Sequence, residues 1–276
     1  MEFKGYSGCR LKLIEVGQRK YVKKMSADEN YNSRLQAQFL KQSKIILDGF
    51  KSCRVYDSGF EDKLFYFKMD YVQGETLAEK MFNVELGAIK CIVEKMLLHA
   101  VNYKKPNFAA DDIFQSKIES LQTKLSRYSH LNQVFGMLKN FSWQYVISSK
   151  CHGDLTLENI IVSKESLTPI DFLDSFYDSW MIDAAKILQD ADLMWSYRNI
   201  SKNGNLVVRL TIMRDLITEK IGKMFMGDKI LETVYMILLL NLLRVYPYVK
   251  DSLTEKFLSS KIPYVVQKIK NHEWRH

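Results

Sequence analysis

The chain has 276 residues, 47% of them apolar and 26% charged, with a formal charge of +8. That size and balance fit a soluble globular protein of one large domain or two lobes, and exclude a disordered or repeat-built chain. The basic excess suits phosphate-bearing ligands, but no Arg/Lys-dense element interleaved with aromatics supports a nucleic-acid partner.

In chain order, Cys9 to Val16 and Arg19 to Met25 read as a strand hairpin turning at Gly17-Gln18. Ser26-Ala27-Asp28-Glu29 resembles a capping box that starts a helix running to about Leu47. Its apolar stripe is Leu35, Phe39 and Ile46, with Gln38 and Gln42 on the same face. Strand-like runs follow at Arg54 to Asp57 and Lys63 to Val72. After Gly74 the periodicity becomes helical: Thr76 to Met81, Val84 to Tyr103, Asp111 to Tyr128, Leu131 to Lys139, Asp183 to Met194, Leu206 to Met226, Lys229 to Tyr246 and Asp251 to Lys270. Val234 to Val245 is strongly apolar, but it is short of a span and interrupted by Asn241 and Arg244, so it reads as a buried core helix. The scattered cysteines (Cys9, Cys53, Cys91, Cys151) have no metal-ligand spacing, and Met1 to Gly5 has no signal-peptide core, so reduced thiols in the cytoplasm are expected.

The exception in the helical half carries the chemistry. His152-Gly153-Asp154-Leu155-Thr156-Leu157-Glu158-Asn159 reads as a loop. Ile160 to Val162 and Thr168 to Ile170 read as two short strands, after which come Asp171 and Phe172. A carboxylate, an amide five residues on and a second carboxylate ending a strand form a compact oxygen-rich set. Phosphoryl transfer needs such a set: a base at the acceptor hydroxyl and hard oxygen ligands for Mg2+. His152 reads as a scaffold group that pins its own loop.

These residues resemble the catalytic loop and metal strand of the aminoglycoside phosphotransferase and choline kinase superfamily. The family loop reads His-Gly-Asp-Leu, three variable residues, then Asn, and its metal motif is Ile-Asp-Phe or Ile-Asp-Trp; here stand His152-Gly153-Asp154-Leu155, Asn159 and Ile170-Asp171-Phe172. The resemblance implies an α+β, bilobal protein-kinase-like fold. A small antiparallel-sheet N-lobe with one helix would span residues 1–72, and a larger, mainly helical C-lobe residues 73–276. It implies Asp154 as catalytic base and Asn159 and Asp171 as metal ligands. Asp183 resembles a family aspartate that brace the catalytic segment, and an N-cap role accounts for it equally well.

For the nucleotide side, Gly5-Tyr6-Ser7-Gly8 resembles a glycine-rich phosphate loop, with Gly5, Ser7 and Gly8 as its contacts. Tyr21-Val22-Lys23-Lys24 resembles the strand that carries a phosphate-holding lysine. Strand alternation favours Lys24 with Val22 against adenine, Lys23 being the alternative. Met69-Asp70-Tyr71-Val72 resembles the lobe-joining segment, where Met69, Asp70 and Val72 would meet adenine. The family helix offers a Glu to the lysine; this chain offers Gln38 or Gln42, and Gln42 is the better match. The absence of a Gly after Asp171-Phe172-Leu173, and of an Ala-Pro-Glu segment, argues against a protein kinase.

The expected activity is therefore ATP- and Mg2+-dependent transfer to a hydroxyl of a sugar or amino alcohol, with cell-surface polysaccharide metabolism as one setting. The alternative is a pseudokinase or nucleotide-dependent binding protein; an aminoglycoside-modifying kinase is disfavoured by the basic balance. Acceptor-pocket candidates after the metal motif are Asp174, Asp178, Trp195, Tyr197 and Arg198, with Tyr177 and Trp180 as further aromatics. Arg244 to Tyr248 could reach an anionic acceptor or end a helix.

Overall fold

The structure is a computed structural model that describes residues 2–4, 8–100, 108–164, 166–201 and 203–274. Gly5 and Ser7 of the expected glycine loop lie outside the described residues. Strands β1 (Glu2–Lys4), β2 (Arg10–Val16) and β3 (Arg19–Met25) open the chain. The β2–β3 register pairs Val16 with Arg19, which leaves Gly17-Gln18 as a two-residue turn. Gly17 takes φ +60 there, a left-handed conformation that glycine adopts without steric cost.

Helix α1 (Asn32–Lys44) follows a single 3-10 turn at Glu29–Tyr31. The cap is Asp28, whose carboxylate accepts from the Tyr31 N–H at 3.0 Å, and not Ser26. The helix stops before Ile45, so Ile46, expected on its buried stripe, is exposed. Leu35, Gln38, Lys41 and Gln42 form its buried face. Strands β4 (Val55–Glu61) and β5 (Leu64–Asp70) complete an antiparallel sheet of order β1-β2-β3-β5-β4. Along β5 every second residue is buried, Phe65, Phe67 and Met69, and these pack with Leu35, Cys9 and Cys53 into a small core beneath α1.

The remainder is mainly helical: the short β6 (Glu75–Thr76) and α2 (Leu77–Lys80), then α3 (Leu86–Met96), α4 (Phe108–Lys124) and α5 (Asn132–Lys139). A hairpin, β7 (Ile160–Ser163) and β8 (Ser166–Pro169), interrupts the helices, and β6 pairs with β7 to make a second antiparallel sheet. Then come α6 (Trp180–Ala191), α7 (Gly204–Gly222), α8 (Gly227–Val245) and α9 (Ser252–Asn271). The helix expected over Val84 to Tyr103 is shorter, ending at Met96. The helix expected to open at Asp183 opens earlier, at Trp180, capped by the Ser179 hydroxyl. The fold is thus α+β, with an antiparallel sheet and one helix followed by a larger helical part.

Helix α8 is apolar around its circumference because it runs through the middle of the large core against α6, α7 and α9. It is the one described helix long and apolar enough to cross a membrane, and 78% of its most apolar window is buried inside the fold. Burial in protein accounts for that composition.

Candidate active site

The loop that leads into β7 is shaped by three locks. Gly153 sits at φ +90, where a Cβ would come within 2.4 Å of the Leu173 carbonyl oxygen, so only glycine fits. The buried Asp183 carboxylate accepts from the backbone N–H of both His152 and Gly153, each at 2.8 Å. The His152 ring spans the loop: Nδ1 accepts from the Asp154 N–H at 3.2 Å and Nε2 lies 2.8 Å from the Ile170 carbonyl. Those contacts demand the neutral ring protonated on Nε2. Burial lowers its pKa and agrees with that form. His152 is therefore structural. For Asp183 the two readings of the sequence are separated: Ser179 caps the helix and Asp183 braces the loop.

Asp154 points into a cleft of about 570 Å³ that Asn159 and Asp171 also line. Asn159 uses its amide N–H2 to hold the Asp154 carbonyl at 2.8 Å, which leaves its amide oxygen for another partner. The β7–β8 hairpin sets Asn159 beside Asp171, because the Ile170 N–H donates to the Asn159 carbonyl at 2.9 Å. Asp171 does not end a strand as expected: β8 stops at Pro169, and Asp171 takes φ +64. Its carboxylate is bonded to the Lys24 ammonium from β3. Burial pushes the Asp154 carboxyl up, but the Lys186 ammonium 3.0 Å away outweighs it and holds the group below the usual carboxylate range. Lys186 was not singled out from the sequence.

Lys24 is the buried lysine of the pair; Lys23 faces the other side of the sheet and bonds Glu61. Its helix partner is Gln38, whose amide oxygen accepts from Nζ at 3.1 Å. Gln42, expected in that place, lies one turn further and donates to the Cys53 carbonyl at 3.1 Å, inside the small core. Val22 pairs with Met69 across β3 and β5. At Asp70 the N–H donates to the Arg54 carbonyl and the carboxylate accepts from the Tyr56 hydroxyl. The Tyr71 N–H is taken by the Lys20 carbonyl. Val72 follows, and Gly8 takes φ +80 ahead of β2.

A second cation joins α1 to the loop region. Lys41 is buried and reaches Asp178 Oδ1 at 2.6 Å and Ser175 Oγ at 2.9 Å, with Cys151 Sγ at 3.5 Å. Burial alone would lower the Lys41 ammonium, but Cys151 and Asp178 outweigh it and raise it. Burial pushes the Cys151 thiol up to about 12, so it is inert. Asp178, expected from the sequence at the acceptor pocket, is thereby committed to an ion pair and does not line the cleft. Tyr197 is corrected likewise: it is buried, and its hydroxyl donates to the Ala78 carbonyl at 2.9 Å. Tyr177 and Trp180 are core residues. Asp174, Trp195 and Arg198 do line the cleft, as do Arg244 and Tyr248. Arg34, Lys117, Lys124 and Phe176 line it too, and sequence reasoning missed them. For Lys117 and Lys124 the signal was their spacing with Leu121, which places all three on one helix face.

Structural comparison places the architecture. An ethanolamine kinase from Plasmodium vivax superposes with a TM-score of 0.58 at 14% identity, over 96% of this chain and 81% of that one. A thermostable mutant of the aminoglycoside phosphotransferase APH(4)-Ia, in ternary complex with ADP and hygromycin B, superposes with a TM-score of 0.66 at 13% identity, over 97% and 92%. The chain has the protein-kinase-like fold of the small-molecule kinases. No family model matches the sequence, and no curated protein matches it.

The donor chemistry fits a hard cation. Asn159 keeps a free amide oxygen and Asp171 a second carboxylate oxygen, and Mg2+ takes few protein ligands alongside phosphates. Among the described residues no cluster of three or more His, Cys, Asp or Glu offers a self-sufficient metal cage.

Proposed function

We propose that this chain is an ATP- and Mg2+-dependent phosphotransferase that moves the γ-phosphoryl group to a hydroxyl of a small molecule. The acceptor class is sugars and amino alcohols, with cell-surface polysaccharide metabolism as one setting. The observation that carries this reading is the convergence of Asp154, Asn159 and Asp171 on one cleft, with Lys24 bonded to Asp171. The relatives lend support: one is an ethanolamine kinase, and the other holds ADP with hygromycin B.

In this reading Asp154, ionised and oriented by Lys186, takes the proton of the acceptor hydroxyl as its oxygen attacks. Lys24, oriented by Gln38, holds the inner phosphates. Asn159 and Asp171 would hold Mg2+, which supplies neutralisation of phosphate charge when bound. Asp183 and Gly153 keep the loop in the shape that presents Asp154.

Asp154→Ala tests the assignment. Turnover should fall by roughly a hundredfold to ten-thousandfold, the range for loss of a general base, while Mg-ATP affinity stays within a few-fold. Retained turnover refutes the role of Asp154. Mg-ATP binding by the unaltered chain without phosphorylation of any hydroxyl compound would make it a nucleotide-dependent binding protein instead.

A further inference from the structure

Beyond the loop that carries Asp154, the cleft wall includes cations that form no ion pair among the described residues. Helix α4 contributes Lys117 and Lys124, seven residues and so about 10 Å apart on one face. Helix α8 contributes Arg244 from its last turn, and α1 contributes Arg34. Arg244 donates to the Asn241 amide oxygen at 3.0 Å and lies 5.2 Å from the centre of the Phe176 ring. Lys117 lies 5.5 Å from the same ring. Among the described residues none of these four cations is ion-paired to a carboxylate.

Their mutual repulsion is visible. Burial, then Arg244, Lys124 and Arg34, pull the Lys117 ammonium down. Burial pulls the Arg244 guanidinium down too, with Asp154 acting against it. The cleft carboxylates at contact distance of a cation have other partners, Lys186 for Asp154 and Lys24 for Asp171, and Asp154 acts on Arg244 only from beyond ion-pair distance. Glu158 also lines the cleft, on the loop beside Asn159. Asp174 is exposed on the loop after Asp171. A partly desolvated cation cluster is costly unless something anionic meets it, and one aromatic face offsets only part of that cost.

We infer that the acceptor itself carries an anionic group, a phosphate or a carboxylate, seated against Lys117, Lys124 and Arg244 while its hydroxyl faces Asp154. This rests on the phosphotransferase reading and narrows its acceptor class. The hydroxyl oxygen forms the new bond to the γ-phosphorus, the bond from that phosphorus to the β,γ-bridging oxygen breaks, ADP leaves, and the hydroxyl proton passes to Asp154. The product therefore bears two anionic groups.

The first test is calorimetric binding of inorganic phosphate to the Asp154→Asn protein saturated with Mg-AMP-PNP, so that the nucleotide site is already filled. Saturable binding that weakens tenfold or more in a Lys117→Met/Arg244→Met double variant is expected. No saturable binding, or binding that the double variant leaves unchanged, overturns the inference. Lys124→Glu, at an exposed position, replaces the double variant if that one fails to fold. The second test compares ADP production with glucose 6-phosphate and glucuronate against glucose and choline. A preference of at least tenfold in kcat/KM for the anionic members is expected, and the phosphate and carboxylate arms tell which anion is read. Preference for glucose or choline overturns the inference and leaves the phosphotransferase intact. Failure of Mg-AMP-PNP to shift the melting temperature would sink the underlying reading instead.

Discussion

Asp183→Asn is nearly isosteric, and its consequences can be worked out from the loop. The carboxylate accepts two backbone N–H groups at 2.8 Å each, from a position with no solvent exposure. An amide has one oxygen, so it can keep one of those bonds in neutral form. Its N–H2 must then face the other N–H, leaving a buried donor unsatisfied. Hydrogen bonds to charged groups contribute about 1.5–3 kcal/mol each, so the substitution should cost about 3–5 kcal/mol. At about 2–4 °C per kcal/mol for a chain of this size, the melting temperature should fall roughly 6–20 °C. The loop that presents Asp154 loses its brace, so kcat should fall at least about tenfold. Thermal unfolding by circular dichroism and steady-state kinetics measure the two effects. Ser179→Ala removes only the helix cap; it should cost about 1 kcal/mol and leave kcat unchanged. If Asp183→Asn melts no lower than Ser179→Ala and turns over normally, Asp183 is not a brace and the account of the loop fails.

Two further substitutions probe the charges around the catalytic set. Gln38→Glu should hold or tighten Mg-ATP binding by orienting Lys24 with a charged partner, whereas Gln42→Glu should lower the melting temperature by several degrees, because its carboxylate would face the Cys53 carbonyl; titration calorimetry and thermal unfolding would expose the reverse pattern. Lys186→Met removes the ammonium that opposes burial at Asp154, so the carboxyl pKa rises and the base is lost as pH falls. The acid limb of kcat/KM should move to higher pH, with a larger deficit at about pH 5.5 than at about pH 8; an unmoved limb contradicts the pairing.

Asp154, Asn159 and Asp171 were legible in the sequence because one loop and one hairpin hold all three. Their spacing along the chain is nearly their spacing in space. Lys24 was legible because strand alternation separates it from Lys23. The choice between Gln38 and Gln42 was not, since both lie on the inward face of α1 one turn apart, and only the depth of β3 beneath the helix decides which meets the lysine. Tyr197 and Asp178 were misplaced for a different reason. They follow the metal motif in sequence, but Tyr197 is drawn into the core by its bond to Ala78 and Asp178 is claimed by Lys41. The true cleft wall comes from α1, α4 and α8, elements more than eighty residues apart in part, and such long-range assembly leaves no local pattern to read.

The cleft is electrically two-sided, and this bears directly on what it accepts. On the catalytic side each carboxylate has its own cation, Lys186 for Asp154 and Lys24 for Asp171. Gln38 orients Lys24 without adding a charge, so Asp171 is the group that balances the lysine. Elsewhere in the cleft Lys117 and Arg244 share the Phe176 ring, and among the described residues neither is ion-paired to a carboxylate. A cationic acceptor would add a like charge to that wall, and a neutral one would desolvate it further without compensation. An anionic acceptor does neither, and seating its charge on Lys117 and Arg244 would also fix which of its hydroxyls faces Asp154, since all three residues line one cleft. The same charges that would disfavour a polycationic acceptor would then set the regiochemistry of transfer.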